Sequence, residues 1–219
     1  MDKRKSYYLV LDTETVKIDP NKGINGYNAL VYDIGYRIID KNGVCYLERN
    51  YLINEIFLGM WDKFISDYYN KDKRLTYYNM LACGEIELKS FYEIYSIFIN
   101  DLKQYHVKYI SIHNAKYDYS ALNKTACVIS NYKMRGWFNN VNVEIIDTYA
   151  MALDTICKYK TYPYKTKTGR ASATAENLYK YINHNPDFIE SHTALSDTVI
   201  ESAILLKCIH AHKRMRKHF

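Results

Sequence analysis

Ser6-Tyr7-Tyr8-Leu9-Val10-Leu11-Asp12-Thr13-Glu14-Thr15 starts as an apolar run and breaks at once into two acids. A short continuous run of this kind, Ser6–Leu11, is the pattern of a strand buried on both faces. Side chains i and i+2 of an extended strand point the same way, so Asp12 and Glu14 present two carboxylates to one face. Left unpaired, they repel. A divalent cation relieves that repulsion, and Mg²⁺ prefers hard oxygen ligands. A solvated strand end would carry the same triplet, so these residues alone decide nothing about chemistry.

Outward from this strand, Val16–Leu30 carries Pro20, Gly23 and Gly26 and reads as a loop. Val31–Ile39 and Val44–Ile53 are rich in β-branched and aromatic residues, and Asp40-Lys41-Asn42-Gly43 between them is a hairpin signal. Apolar spacing predicts helices over Ile56–Tyr69 and Leu88–Leu102. Val107–Ile112 and Val141–Ile146 are short strands, and Asp147 begins a helix reaching about Cys157, capping it. Further helices are expected at Thr174–Ile182 and from Thr193 to His212. Three strands in a meander, then strand and helix alternating, predict an α/β fold: a mixed five-stranded sheet with helices on both faces. The 219 residues hold no internal repeat or low-complexity linker and only three prolines, which predicts one domain over 1–219.

Hydrophobic residues make up 48% and charged ones 25%, the balance of a soluble globular chain. No apolar run is long enough to span a bilayer, and the run after Ser6 is too short for a secretory segment, so the expected location is cytoplasmic, host cytoplasm if the protein is viral. The abundance of Tyr (24), Lys, Asn and Ile is what AT-rich codons give, as in a low-GC viral or phage genome. Five scattered cysteines without a CxxC pair are expected to be reduced core thiols. A net charge of +6 favours an anionic partner. The basic residues concentrate in Lys158–Arg170 and in the tail Lys213–His218. In the first of these, Lys158, Lys160, Lys165, Lys167 and Arg170 stand with Tyr159, Tyr162 and Tyr164 among them and no acid, the composition of a mobile arm gripping single-stranded nucleic acid.

Two more segments carry candidate chemistry. His113-Asn114-Ala115-Lys116-Tyr117-Asp118 runs from a strand end into a helix bearing an acid. In Ser191-His192-Thr193-Ala194-Leu195-Ser196-Asp197, His192 and Asp197 would lie roughly 140° apart on a regular helix. They can serve one site only if His192 stands in the approach loop. Other acids and histidines offer less. His210 and His212 face about 200° apart on a helix, His106 and His184 have no partner at ligand spacing, and Asp33 is expected to support the hairpin.

Together and in order, Leu11-Asp12-Thr13-Glu14-Thr15, His113–Asp118 and His192–Asp197 resemble the three exonuclease motifs of the DnaQ-like DEDDh family. The histidine five residues before the last aspartate is the mark of the DEDDh branch. Tyr32-Asp33-Ile34-Gly35 and Asp147-Thr148 are secondary matches, and the resemblance spans roughly Tyr7 to Lys207. It departs in Asn54–Gly84 and in the Lys/Tyr loop 158–170.

The resemblance implies a ribonuclease H-like sheet of order 3-2-1-4-5, with strands 4 and 5 parallel to strand 1. It implies 3′→5′ exonuclease activity with two Mg²⁺ or Mn²⁺ ions, Asp12 bridging both, Glu14 and Asp197 completing one, and Asp118 holding the other largely through water. Neutral His192 would act as general base, and nucleoside 5′-monophosphates would be released. Thr13, Thr15 and Asn114 within the motifs, with Lys160, Lys165 and Lys167, are expected to contact the nucleic acid. Single-stranded DNA is the favoured substrate; an RNA-directed enzyme, a proofreading subunit beside a separate polymerase, and a binding module with a dead site are the alternatives.

Overall fold

The computed structural model describes residues 6–19, 21–23, 25–60, 68–139 and 141–211. Its elements are β1 (Tyr7–Lys17), β2 (Ala29–Asp40), β3 (Cys45–Ile53), α1 (Asn54–Phe57), α2 (Tyr68–Cys83), β4 (Glu87–Lys89), α3 (Phe91–Gln104), β5 (Tyr109–Ile112), α4 (Ala115–Ile129), β6 (Glu144–Asp147), α5 (Thr148–Asp154), α6 (Ala175–Ile182) and α7 (Ala194–His210). One sheet runs in the order β4-β3-β2-β1-β5-β6. The β1–β2–β3 meander is antiparallel, and β5 and β6 run parallel to β1.

The expected order is present, with a sixth strand added. β4 lies in a stretch whose spacing predicts helix from Leu88. Ser90 explains the difference: its side chain and that of Glu93 form a capping box that starts the helix at Phe91. The residues before it stay extended and pair in parallel with β3, Leu88 opposite Leu52. Of the helix expected over Ile56–Tyr69, Ile56 and Phe57 belong to α1, 58–60 form a turn, 61–67 lie outside the described residues, and α2 begins at Tyr68 and runs on to Cys83, beyond the expected end. The Val16–Leu30 loop is shorter than expected, since β1 extends to Lys17 and β2 begins at Ala29. His212 and the basic tail at 213–218 also lie outside the described residues.

β1 is buried on both faces, as its continuous apolar run requires. Tyr7, Leu9 and Leu11 join the core that includes Phe91, Ile94 and Phe98 of α3 and Ala121, Leu122 and Ala126 of α4. Tyr8 and Val10 join the core with Met151 of α5, Leu178 of α6 and Ile200, Ile204 and Leu205 of α7. The hairpin turns at Gly43, whose φ of +83° suits glycine. In the β1–β2 register Asp12 lies opposite Gly35, and Glu14 opposite Asp33. A Cβ at Gly35 would collide with the backbone of Ala194 and Leu195, so this glycine lets α7 begin directly over the sheet beside Asp12.

The cysteines are free; Cys157 and Cys208 are core thiols, while Cys45 and Cys83 are exposed. Among the described residues no helix is long and apolar enough to cross a membrane.

Candidate metal centre

Four carboxylates from three elements lie near enough for the others' charges to act on Asp12: Asp12 and Glu14 on β1, Asp118 in the first turn of α4, and Asp197 in the first turn of α7. Asp118 is 5% exposed and Asp197 6%. Burial, followed by the charges of Glu201, Asp118, Asp197 and Glu14, pushes the Asp12 carboxyl well above the usual carboxylate range. Burial also lifts Glu14 to about 7 against the pull of Lys73. Asp118 rises to about 7, burial outweighing the Thr13 hydrogen bond. Asp197 rises to about 8 through burial and then the charges of Glu190 and Glu14. Such groups stay protonated unless a cation balances them.

The alternation of β1 divides the labour. Asp12 and Glu14 share the side of Tyr8 and Val10, while Thr13 turns toward α4 and donates its hydroxyl to Asp118 Oδ1 at 2.6 Å. Thr15 Oγ1 lies 2.7 Å from the Tyr117 hydroxyl. Asn114, left-handed at φ +60°, turns the chain from β5 into α4, and its N–H donates to Asp147 Oδ1. Asp147 also accepts from the N–H groups of Tyr149 and Ala150, capping α5 as its position in the sequence predicts. His113 Nε2 donates to the Ala173 carbonyl at 2.8 Å, which leaves Nδ1 to accept from Thr148. Burial lowers its pKa to about 4, so the ring is neutral and structural.

The start of α7 is held from outside. Asp33 Oδ2 accepts the Ala194 N–H at 3.0 Å and the Tyr77 hydroxyl at 2.7 Å. Instead of bracing the hairpin, Asp33 ties β2 and α2 to the start of α7. Lys73 of α2 donates to Glu14 Oε1 at 3.1 Å and to the His192 carbonyl at 2.9 Å. His192 stands in the approach loop at φ +55°, one residue before the N-cap Thr193. Its Nδ1 is 3.8 Å from Glu190 Oε2. Ligand atoms of Glu190, His192 and Asp197 all lie within 4.8 Å of one another.

Sequence reasoning alone misses Lys73, Glu190 and Glu201. Glu201 had a legible signal, standing one helical turn after Asp197. Glu190 had a weaker one, two residues before His192. Lys73 had none, because only tertiary folding brings α2 to β1.

The segment Lys158–Arg170, expected to be a mobile arm, follows a 3-10 turn ending at Lys158 and closes as a hairpin from Tyr164 onward. Lys165 and Ala171 form a bridge, and Gly169 turns the chain at φ +81°. Tyr162 is 3% exposed, packs against Tyr164 and Tyr181, and donates its hydroxyl to the Ser172 carbonyl. It belongs to the core and offers no face to a base. Lys160, Lys165 and Lys167 are exposed, as is Tyr159. The Ala173 bond to His113 fastens the base of this hairpin beside α4.

No family model and no curated protein matches the sequence. Solved structures do match the fold. The nuclease domain of 3′hExo, a DEDDh family member bound to rAMP, aligns at TM-score 0.62 and 10% identity over 100% of both chains. A 3′-exonuclease in 3′-end-specific recognition of the histone mRNA stem-loop aligns at 0.61 and 11%, over 99% of this chain and 87% of that one. E. coli exonuclease I, in complex with a 5cy-dT13 oligonucleotide, aligns at 0.57 and 12%, over 95% of this chain and 41% of that one. The chain therefore shares the ribonuclease H-like fold of these solved structures.

Proposed function

We propose that the protein is a metal-dependent 3′→5′ exonuclease that releases nucleoside 5′-monophosphates from single-stranded ends. The observation that carries this reading is the convergence of Asp12, Glu14, Asp118 and Asp197, with His192 in a loop beside them, on a fold shared with exonucleases.

The donors are carboxylate oxygens, the hard ligands that Mg²⁺ and Mn²⁺ take. Mutual repulsion and the buried, unpartnered Glu201 Oε2 fit a site completed by cations. Asp12, Glu14, Asp118 and Asp197 would hold them, and Lys73 forms an ion pair with Glu14 at 3.1 Å. Divalent ions bound there would lower the pKa of a water and offset the charge of the phosphate under attack.

The chain's own residues supply the remainder. His192 takes the proton of the attacking water, with Glu190 Oε2 3.8 Å from its Nδ1. Thr13 fixes Asp118, and Lys73 couples the backbone of His192 to Glu14. Lys160, Lys165 and Lys167 are exposed to contact phosphates farther along the strand.

Single-stranded DNA is the substrate we favour, with the exposed lysines and Tyr159 of 158–170 as its surface. RNA is the second reading, because the neighbours bound to rAMP and to an mRNA stem-loop align with higher TM-scores than the one holding a DNA oligonucleotide. Digestion of 5′-labelled single-stranded DNA, duplex DNA and RNA, with Mg²⁺, Mn²⁺ or EDTA, tests both. The expected result is a metal-dependent ladder shortening from the 3′ end and absent in Asp12→Ala and Asp197→Ala. Wild-type turnover in either variant, or cleavage undiminished by EDTA, would end the two-metal reading.

A further inference from the structure

Glu201 follows Asp197 by one turn of α7 and shares its face. At 3% exposure it is buried more deeply than Asp118 or Asp197. Its Oε2 has no hydrogen-bond partner, although buried side-chain oxygens are ordinarily paired. Among the described residues no basic side chain forms an ion pair with it. The charged groups that act on it are acidic instead: Asp12, Asp118, Asp197 and Glu190. The backbone N–H of His113 supports the carboxyl from the end of β5. A buried carboxylate without a counterion is among the costliest groups a core can hold. A glutamine or a small apolar residue would fill this place with less repulsion. A carboxyl here can ionise only if a cation reaches it.

We propose that Glu201 is a fifth carboxylate of the divalent-cation centre, one turn of α7 beyond Asp197 at the buried end of the site. This rests on the metal-dependent reading above and extends it to a residue outside the three motifs.

The test measures Mn²⁺ binding by calorimetry in the full chain without nucleic acid, for the wild type, Glu201→Gln, Glu201→Asp and Asp197→Asn. Glu201→Gln is expected to bind Mn²⁺ about 10–100-fold more weakly, while Glu201→Asp, which keeps the charge, recovers much of the affinity. Melting supplies a readout independent of activity. Glu201→Gln melts above the wild type in EDTA, where repulsion is relieved, and below it in saturating Mn²⁺. A purely structural glutamic acid would give the same melting difference with and without metal. If Asp197→Asn loses Mn²⁺ while Glu201→Gln binds it like the wild type, this inference alone is overturned. If the wild type binds no Mn²⁺, the metal-dependent reading falls and the inference with it. Should Glu201→Gln not fold, Glu201→Asp decides: unchanged affinity and an unchanged metal-dependent melting shift in a shortened side chain would refute a ligand role.

Discussion

The Thr13 hydroxyl donates to Asp118 Oδ1 across 105 positions of sequence, fixing the strand that carries two acids to the helix that carries a third. Thr13→Val removes the donor and leaves a buried carboxylate oxygen unsatisfied, which costs about 1–3 kcal/mol. Chemical denaturation should register that loss, and turnover should fall because Asp118 is free to rotate. Thr13→Ser keeps the hydroxyl and should behave like the wild type in both measurements. Full activity in Thr13→Val would mean that Asp118 needs no such hold.

The carboxylates also set the stability of the metal-free protein. Glu14 and Asp118 sit near 7 and Asp197 near 8, with Asp12 raised well above its ordinary value. Unfolded, all four return to the ordinary carboxylate range near about 4. Between these limits the folded state binds more protons than the unfolded state, so stability falls as pH rises. In EDTA the melting temperature should drop steadily from pH 5 to pH 8, and Mn²⁺ should flatten the decline by replacing protons with cations. A metal-free protein whose melting temperature climbs across that window would contradict the charge cluster.

His192→Ala should lower turnover by about 10²–10⁴-fold, the usual contribution of a positioned base, while Mn²⁺ affinity changes little. Glu190→Gln, which removes the charge 3.8 Å from Nδ1, should cause a smaller loss in the same direction. Equal losses of turnover and metal affinity in His192→Ala would recast the imidazole as a metal ligand.

What the sequence discloses here is what local geometry controls. The i, i+2 rule places Asp12 and Glu14 together, the Asn42-Gly43 pair marks the hairpin, and the offset between His192 and Asp197 requires the loop position that His192 occupies. β4 is hidden because three extended residues ahead of a strong cap leave no periodic trace. Asp33 looks like a hairpin residue until the fold brings Ala194, 161 positions away, onto its oxygen. Lys73 is likewise invisible, since its partner Glu14 lies 59 residues earlier and α2 has no marked apolar stripe. Alternating Lys and Tyr in 158–170 imply an open arm, but Tyr162 has neighbours of its own in Tyr164 and Tyr181.

That hairpin yields a prediction in which binding and folding separate. Lys160, Lys165 and Lys167 are exposed, whereas Tyr162 is part of the core. Changing the three lysines together to alanine should leave the melting temperature near that of the wild type and weaken binding of long single strands. The slope of log K against log salt should flatten by about two units, at roughly 0.7 for each phosphate no longer neutralised. Cleavage of a dinucleotide, too short to reach the hairpin, should be unchanged. Tyr162→Ala should do the reverse, lowering stability by about 3–5 kcal/mol, as large aromatic deletions do, with the salt slope of the remaining folded protein unaltered. Tyr159, with 39% of its surface exposed, is the ring still available for stacking, and Tyr159→Ala should weaken binding by about 1–3 kcal/mol without changing the slope. If the triple lysine variant keeps the wild-type affinity and salt slope, the hairpin is scaffold, and the phosphates of the substrate are gripped elsewhere.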